Sequence, residues 1–295
     1  DGGTGLSVSP LVAADSTLRV LTDDQGGYLV LALDGGFVES FPAFSGTRGS
    51  ASIGANGDLY VATNVGELID LSSAGIKQWS ASVSNDFSPV VFGPGTEIFT
   101  SDNRQQVYAV DRADGGVLWT RPLVSDAGVS EIPTLAFAVD GTLRAVVAAT
   151  PDAGATVFSI DPALGLVRWA RQIGGAGEEI NGVALADDGT VYVSGQSGLY
   201  SVTSDGGLGV ANVGARPAGI ILDAHGDVFA ITHDLRLVAY HGDSLSESWG
   251  VSVPDAGALS AQDTPVIGPQ QRVYVLLTDR IGVSLLAAFE PSTLP

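Results

Sequence analysis

The sequence predicts an all-β chain folded as a seven-bladed β-propeller, each blade a four-stranded antiparallel sheet. Three observations lead there. The only tryptophans, Trp79, Trp119, Trp169 and Trp249, are separated by 40, 50 and 80 positions, so a unit of about 40 residues recurs and one copy lacks its tryptophan. Short β-branched runs recur seven times at matching places in that unit. Finally, Ala109-x-Asp111-x-x-x-Gly115-x-x-x-Trp119 returns as Ser159-x-Asp161-x-x-x-Gly165-x-x-x-Trp169.

Each unit opens on a short strand led by Ser/Thr-Pro or a relative, as in Ser9-Pro10, Ser88-Pro89, Ile132-Pro133 and Thr264-Pro265. Proline is tolerated at the first residue of a strand, where its missing N–H costs little. A hairpin turn follows, marked by Asn56-Gly57, Asp140-Gly141, Asp188-Gly189 or His225-Gly226, dipeptides that suit positive φ. Second strands are expected at 18–21, 59–62, 97–100, 143–148, 191–193, 228–231 and 272–277. Third strands are expected at 28–33, 67–71, 107–110, 156–160, 199–202, 237–240 and 284–289. The glycine of the signature allows a left-handed residue in the turn to the fourth strand, and the aspartate can accept N–H bonds across it. The tryptophan then offers a large flat face to the next unit. Phe41 and Val210 stand where two other units would carry it, and Ala239-x-His241 to Trp249 keeps the spacing without the glycine. The seventh unit stops at Ala288-x-Glu290, before a fourth strand, and Leu6-Ser7-Val8 is expected to supply that strand and remove an open edge.

The chain has 295 residues, of which 45% are hydrophobic and 16% charged, a globular composition. We expect one domain over 1–295, with linker-like ends at 1–5 and 291–295. The start, Asp1 to Gly5, reads as the end of a linker of the kind that follows a signal peptide or lipid anchor. There is no cysteine, which excludes disulfides and thiolate chemistry. A net charge of −20, with Lys77 the only lysine, repels phosphate backbones and argues against nucleic acid. No apolar run is long enough for a transmembrane helix.

The signature resembles the repeat of the quinoprotein-like (PQQ-repeat) propellers, most clearly over residues 88–169. That family includes quinone-dependent alcohol dehydrogenases and the propeller lipoprotein of the outer-membrane β-barrel assembly machinery, whose style this chain shares. The resemblance implies that the tryptophans dock between adjacent blades. It also implies what is missing: the dehydrogenases hold their quinone with a vicinal disulfide, and this chain has no cysteine. No cofactor is therefore expected.

Catalytic patterns are absent from the sequence. His225, His233 and His241 lie eight residues apart, but they fall in three different connections of one unit, two at one end of its strands and His233 at the other, so no shared metal is expected. Aspartate-glycine pairs fit turn chemistry and lack calcium-loop spacing. What varies is the set of connections at one end of the blades. There Asp102, Asn103 and Arg104 lie between a second and a third strand, and Arg48, Glu131, Asn181, Arg216 and Asp263 precede first strands at the mouth of the central channel. Arginines at such a mouth suit carboxylate contacts. The expected function is that of a monomeric, exported, non-catalytic binding or scaffolding propeller that meets a protein partner through this loop face. Two alternatives stand beside it: a sensor or enzyme with a small polar ligand at the channel mouth, and a structural segment of a larger surface protein.

Overall fold

The computed structural model describes residues 11–21, 28–41, 51–63, 65–83, 88–124, 132–211, 217–253, 260–261, 264–268, 272–278 and 284–289. Among these, no helix is long and apolar enough to cross a membrane. The strands form seven sheets, the blades of a seven-bladed propeller. The first holds β1 (Leu11–Val12), β2 (Thr17–Leu21), β3 (Tyr28–Ala32) and β4 (Phe37–Phe41), and the second β5 (Ala51–Ile53), β6 (Leu59–Ala62), β7 (Glu67–Leu71) and β8 (Lys77–Ser82). The third holds β9 (Val91–Phe92), β10 (Glu97–Ser101), β11 (Gln106–Asp111) and β12 (Val117–Pro122). The fourth holds β13 (Thr134–Phe137), β14 (Leu143–Val147), β15 (Ala155–Ile160) and β16 (Val167–Ile173). The fifth has β17 (Ile180–Leu185), β18 (Val191–Gly195), β19 (Leu199–Val202) and β20 (Leu208–Ala211). The sixth has β21 (Pro217–Leu222), β22 (Val228–Thr232), β23 (Arg236–Tyr240) and β24 (Glu247–Ser252). The seventh has β25 (Ser260–Ala261), β26 (Val266–Ile267), β27 (Val273–Thr278) and β28 (Ser284–Phe289). Residues 1–137 with 161–166 make one compact unit, and 138–160 with 167–295 make another.

In the first six sheets the strands lie side by side in chain order. The seventh departs from this. Both β25 and β26 pair with the same side of β27, one beyond the other, and β28 takes the opposite side. The sheet thus has three strand lanes among the described residues. Leu6–Val8, expected to fill the fourth, lie outside them.

The core sits between successive sheets. Tyr60, Leu68 and Trp79 of the second pack with Val90, Ile98 and Tyr108 of the third, and Val157 and Ile173 of the fourth pack with Val193 and Val202 of the fifth. Middle strands such as β6 and β18 are buried at every position, which is why β6 is the unbroken run Leu-Tyr-Val-Ala and β18 opens on Val-Tyr-Val, without polar alternation. Fourth strands such as β12 and β16 are largely exposed and carry Arg121, Arg168 and Arg171, charges that discourage pairing with another chain.

A lateral row across each sheet explains the repeat. Residues directly opposite on neighbouring strands share a face at Cβ distances of about 5 Å. In the second sheet the row is Ser52, Tyr60, Asp70, Trp79, and in the third Val91, Phe99, Ala109, Trp119. In the fourth, Arg144, Ser159 and Trp169 align, and in the sixth Ile221, Phe229, Ala239 and Trp249. Across the third member the indole reaches the second: ring centroids are 6.1 Å apart for Tyr60 and Trp79, 5.9 Å for Phe99 and Trp119, and 5.7 Å for Phe229 and Trp249. A one-residue bulge beside each tryptophan tilts it toward the following sheet.

There the indoles of Trp79, Trp119 and Trp169 dock on the next signature turn. Trp79 Nε1 donates to the Arg112 carbonyl at 2.8 Å, Trp119 Nε1 to Pro162 at 2.8 Å, and Trp169 Nε1 to Ser204 at 3.0 Å. The ring lies flat on the turn glycine: a Cβ added at Gly115 would sit 2.6 Å from Trp79, and one at Gly165 2.7 Å from Trp119. Both glycines also have positive φ, 77° and 64°. The glycine is therefore demanded twice, by backbone and by neighbour. Arg121 and Arg171, two residues past their tryptophans, add Nε bonds of 2.6 and 2.7 Å to the carbonyls of Gly165 and Gly206.

Two expected anchors do not hold this place. In the first sheet the register brings Val30 opposite Glu39, so Glu39 occupies the tryptophan position and Phe41, opposite Tyr28, lies two residues further on. In the fifth sheet β19 and β20 pair without a bulge, Gly209 faces Ser201, and Val210 turns outward at 59% exposure. Here the contact is inverted. Leu245, at the turn position held elsewhere by glycine, adopts φ 53°, is 5% exposed and points its side chain toward Gly209. Leu245→Gly should relieve the backbone but leave a cavity, a net loss of about 1–3 kcal/mol in urea unfolding.

Candidate functional site

The turn from β10 to β11 holds three of the expected site residues, and it is shaped from within. Asp102 is fully buried; its Oδ1 accepts the backbone N–H of Arg104 at 3.0 Å and of Gln106 at 2.9 Å, and its Oδ2 accepts the Tyr108 hydroxyl at 2.8 Å. An aspartate that takes two N–H groups of its own loop fixes that loop rather than presenting itself. The turn closes on Gln105 at φ 58°, whose carbonyl accepts Leu123 N–H at 3.0 Å as the chain leaves β12. The second and sixth sheets use the same device. There Thr63 and Thr232 cap the turn, and Gly66 and Leu235 accept from Val83 and Val253. Within the turn of the third sheet, Arg104 is exposed and Asn103 half-buried.

Asn181 sits at the matching end of the fifth sheet. β17 bulges at Asn181, with Ile180 opposite Gly195 and Gly182 opposite Ser194. β21 repeats the bulge between Pro217 and Gly219. Just upstream, Glu178, only 4% exposed, clamps the β18–β19 turn by accepting the backbone N–H and the hydroxyl of Ser197, each at 2.7 Å. Arg48, Glu131, Arg216 and Asp263, the remaining expected mouth residues, lie outside the described residues.

A cleft of about 840 Å³ opens at the other end of the fifth and sixth sheets, among the β17–β18, β21–β22 and β23–β24 turns. Five aspartates line it: Asp187, Asp188, Asp223, Asp227 and Asp243. His225 and His241 line it as well, with His241 Nδ1 3.5 Å from Asp227 Oδ1. At its wall Tyr192 donates its hydroxyl to the Gly242 carbonyl at 2.9 Å, the bond that tryptophan makes at other contacts. Burial, together with Asp188, Asp243 and Asp227, pushes the Tyr192 phenol above its ordinary range. The cleft is an environment that favours positive charge and disfavours anions. Among the described residues no group of His, Asp or Glu has metal-holding geometry. His225 and His241 stand at one end of the sixth sheet and His233 at the other, as their places in the repeat require, whereas the facing of neighbouring turns from two units has no mark in the sequence. Asp188 and Asp223 are turn-formers in their own units, Asp188 accepting from Thr190 N–H at 2.9 Å and Asp223 from His225 and Asp227 N–H at 2.8 and 2.9 Å.

The comparisons bear on the whole chain. Residues 14–251 match the family described as outer membrane protein assembly factor BamB. The chain belongs to this family. Of solved structures, BamB from Moraxella catarrhalis superposes with a TM-score of 0.65 at 17% identity, covering 97% of this chain and 88% of that one. A streptogramin B lyase gives 0.68 at 12% identity, covering 97% and 93%, and virginiamycin B lyase from Staphylococcus aureus gives 0.67 at 13%, covering 93% and 92%. At these identities the likeness is one of fold, and a single fold carries both a BamB protein and lyases. A comparison with curated proteins finds no match in sequence.

Proposed function

We propose that this BamB-family propeller is an exported, non-catalytic scaffold of the cell envelope that engages a protein partner through the turns joining second to third strands and the segments joining blades. Membership of the family over residues 14–251 carries this reading. The form of the β10–β11 turn supports it. Asp102 takes up the backbone of the loop and leaves the Arg104 side chain exposed on a rigid base. An arginine so presented offers a planar donor pair to a carboxylate at little cost in ordering. In this reading Arg48, Glu131, Asn181, Arg216 and Asp263 belong to the same working surface, and the protein acts as a monomer.

The test is a photo-crosslinking amino acid placed at Arg104 in the native envelope, with one at Ala113, exposed at the other end of the third sheet, as the control. Position 104 should yield a discrete protein adduct and position 113 none. Adducts from neither position, or equal adducts from both, would count against the surface chosen.

A further inference from the structure

Asp70 departs from every other sheet in the lateral row. Its position is Val30 in the first sheet, Ala109 in the third, Ser159 and Ser201 in the fourth and fifth, and Ala239 and Ala288 in the last two. All of these are small or apolar, and in the third and sixth sheets the alanine fits between an aromatic second member and the indole. Asp70 puts a carboxyl there, directly opposite Tyr60 on one side and Trp79 on the other. It is 4% exposed, and its Oδ1 is buried with no hydrogen-bond partner. A buried ionised carboxylate with an unpartnered oxygen is costly, whereas the neutral acid is far less so.

We propose that Asp70 makes the contact between the second and third sheets proton-sensitive: the indole of Trp79 stays docked in acid and is released more readily at neutral pH. The charged groups around Asp70 support the sign. Burial acts first, Asp58 from the turn before β6 adds repulsion, and Arg112 from the opposing turn of the third sheet only partly offsets them, so the carboxyl is pushed up to about 6. Tyr60, in the same row, is pushed above its ordinary range by burial, Asp70 and Asp58 and is neutral throughout. Lys77, on the adjacent strand β8, is exposed. A carboxyl with its folded value raised from 3.8 to about 6 binds more protons folded than open. The stability from this group is therefore greatest below pH 4 and is lost as pH rises through about 6.

The contact reports on itself. The Trp79 indole N–H is bonded to the Arg112 carbonyl, and the Trp119 indole N–H makes the same bond to Pro162 with Ala109 in place of the acid. Indole hydrogen exchange followed by NMR, corrected for intrinsic rate, should show the opening constant at Trp79 rising about tenfold from pH 5 to pH 7.5. Trp119 should not change. In Asp70→Asn the rise at Trp79 should vanish. Asp70→Ser, which adopts the residue found at 159 and 201, gives the same reading should the asparagine variant fold poorly. A flat profile at Trp79, or the same rise in either variant, would overturn the proposal.

Discussion

Replacing Trp79 by alanine is expected to lower the free energy of unfolding by about 3–5 kcal/mol, the largest loss of any single substitution in the docking contacts. Its ring is 9% exposed, packs on Tyr60 at 6.1 Å, covers the open face of Gly115 and donates to the Arg112 carbonyl. Alanine removes all of these together, and the carbonyl left behind must find water. Trp119→Ala follows the same logic with a smaller loss, because Trp119 is only half-buried. Urea unfolding of both variants checks the order. A loss below about 1 kcal/mol for Trp79→Ala would mean that the indole does not bridge the sheets.

The second large effect is expected at Arg144. This side chain is 1% exposed and stands in the row position that is aromatic in the second, third, fifth, sixth and seventh sheets. Its guanidinium lies 5.0 Å from the Trp169 ring centroid, reaches Asp140 Oδ2 at 2.6 Å and Ser159 Oγ at 2.5 Å, and also bonds the Thr142 hydroxyl. It serves as a flat surface under the indole, as the phenyl and phenol rings do elsewhere, and it needs the aspartate because it is charged. Arg144→Ala should cost about 3–5 kcal/mol, from the cavity and the broken pair together. Arg144→Phe should recover most of that, to within about 1 kcal/mol of the parent, because a buried ion pair exchanged for a packed apolar group is often close to neutral. Burial works to raise the Asp140 carboxyl, but the Thr142 and Arg144 hydrogen bonds and the Arg144 charge outweigh it and hold it below the usual range. Its contribution is present at pH values above 3.8 and is lost as pH falls through the lowered folded value, so Arg144→Phe should also flatten that acid limb.

The strands were legible because their boundaries are written in turn chemistry. The third strand of the third sheet, expected at 107–110, runs from Gln106 to Asp111, and the turn beyond it closes on Gly115 as the glycine required. Docking of the tryptophans was legible from the same signature. The first sheet was misaligned for want of both a tryptophan and any visible mark of the bulge at Val38, which shifts Glu39 into the row. The fifth was misread for the opposite reason, since Val210 has the right spacing only if a bulge is present. One signal was available: the fifth unit, which lacks a tryptophan, is followed by the one long signature turn that lacks a glycine, at Leu245. Of the candidate site, the grouping of Asp102, Asn103 and Arg104 was readable from adjacency. That Asp102 would be the internal fastening of the loop was not, because burial of a loop carboxylate depends on Tyr108 reaching it from the next strand. The acidic cleft depends on turns some forty residues apart facing one another, which no local pattern encodes.

The central claim is that the repeat supplies the scaffold and the exposed end of its non-repeating turns supplies recognition. Arg104→Glu tests it most directly, with thermal unfolding and partner recovery from the native envelope measured on the same protein. The melting temperature should stay within about 2 °C of the parent, as for an exposed substitution away from packing, while recovery of the bound protein falls at least about tenfold, as reversal of a charge at a recognition contact would produce. Unchanged recovery from a normally folded variant would contradict the account.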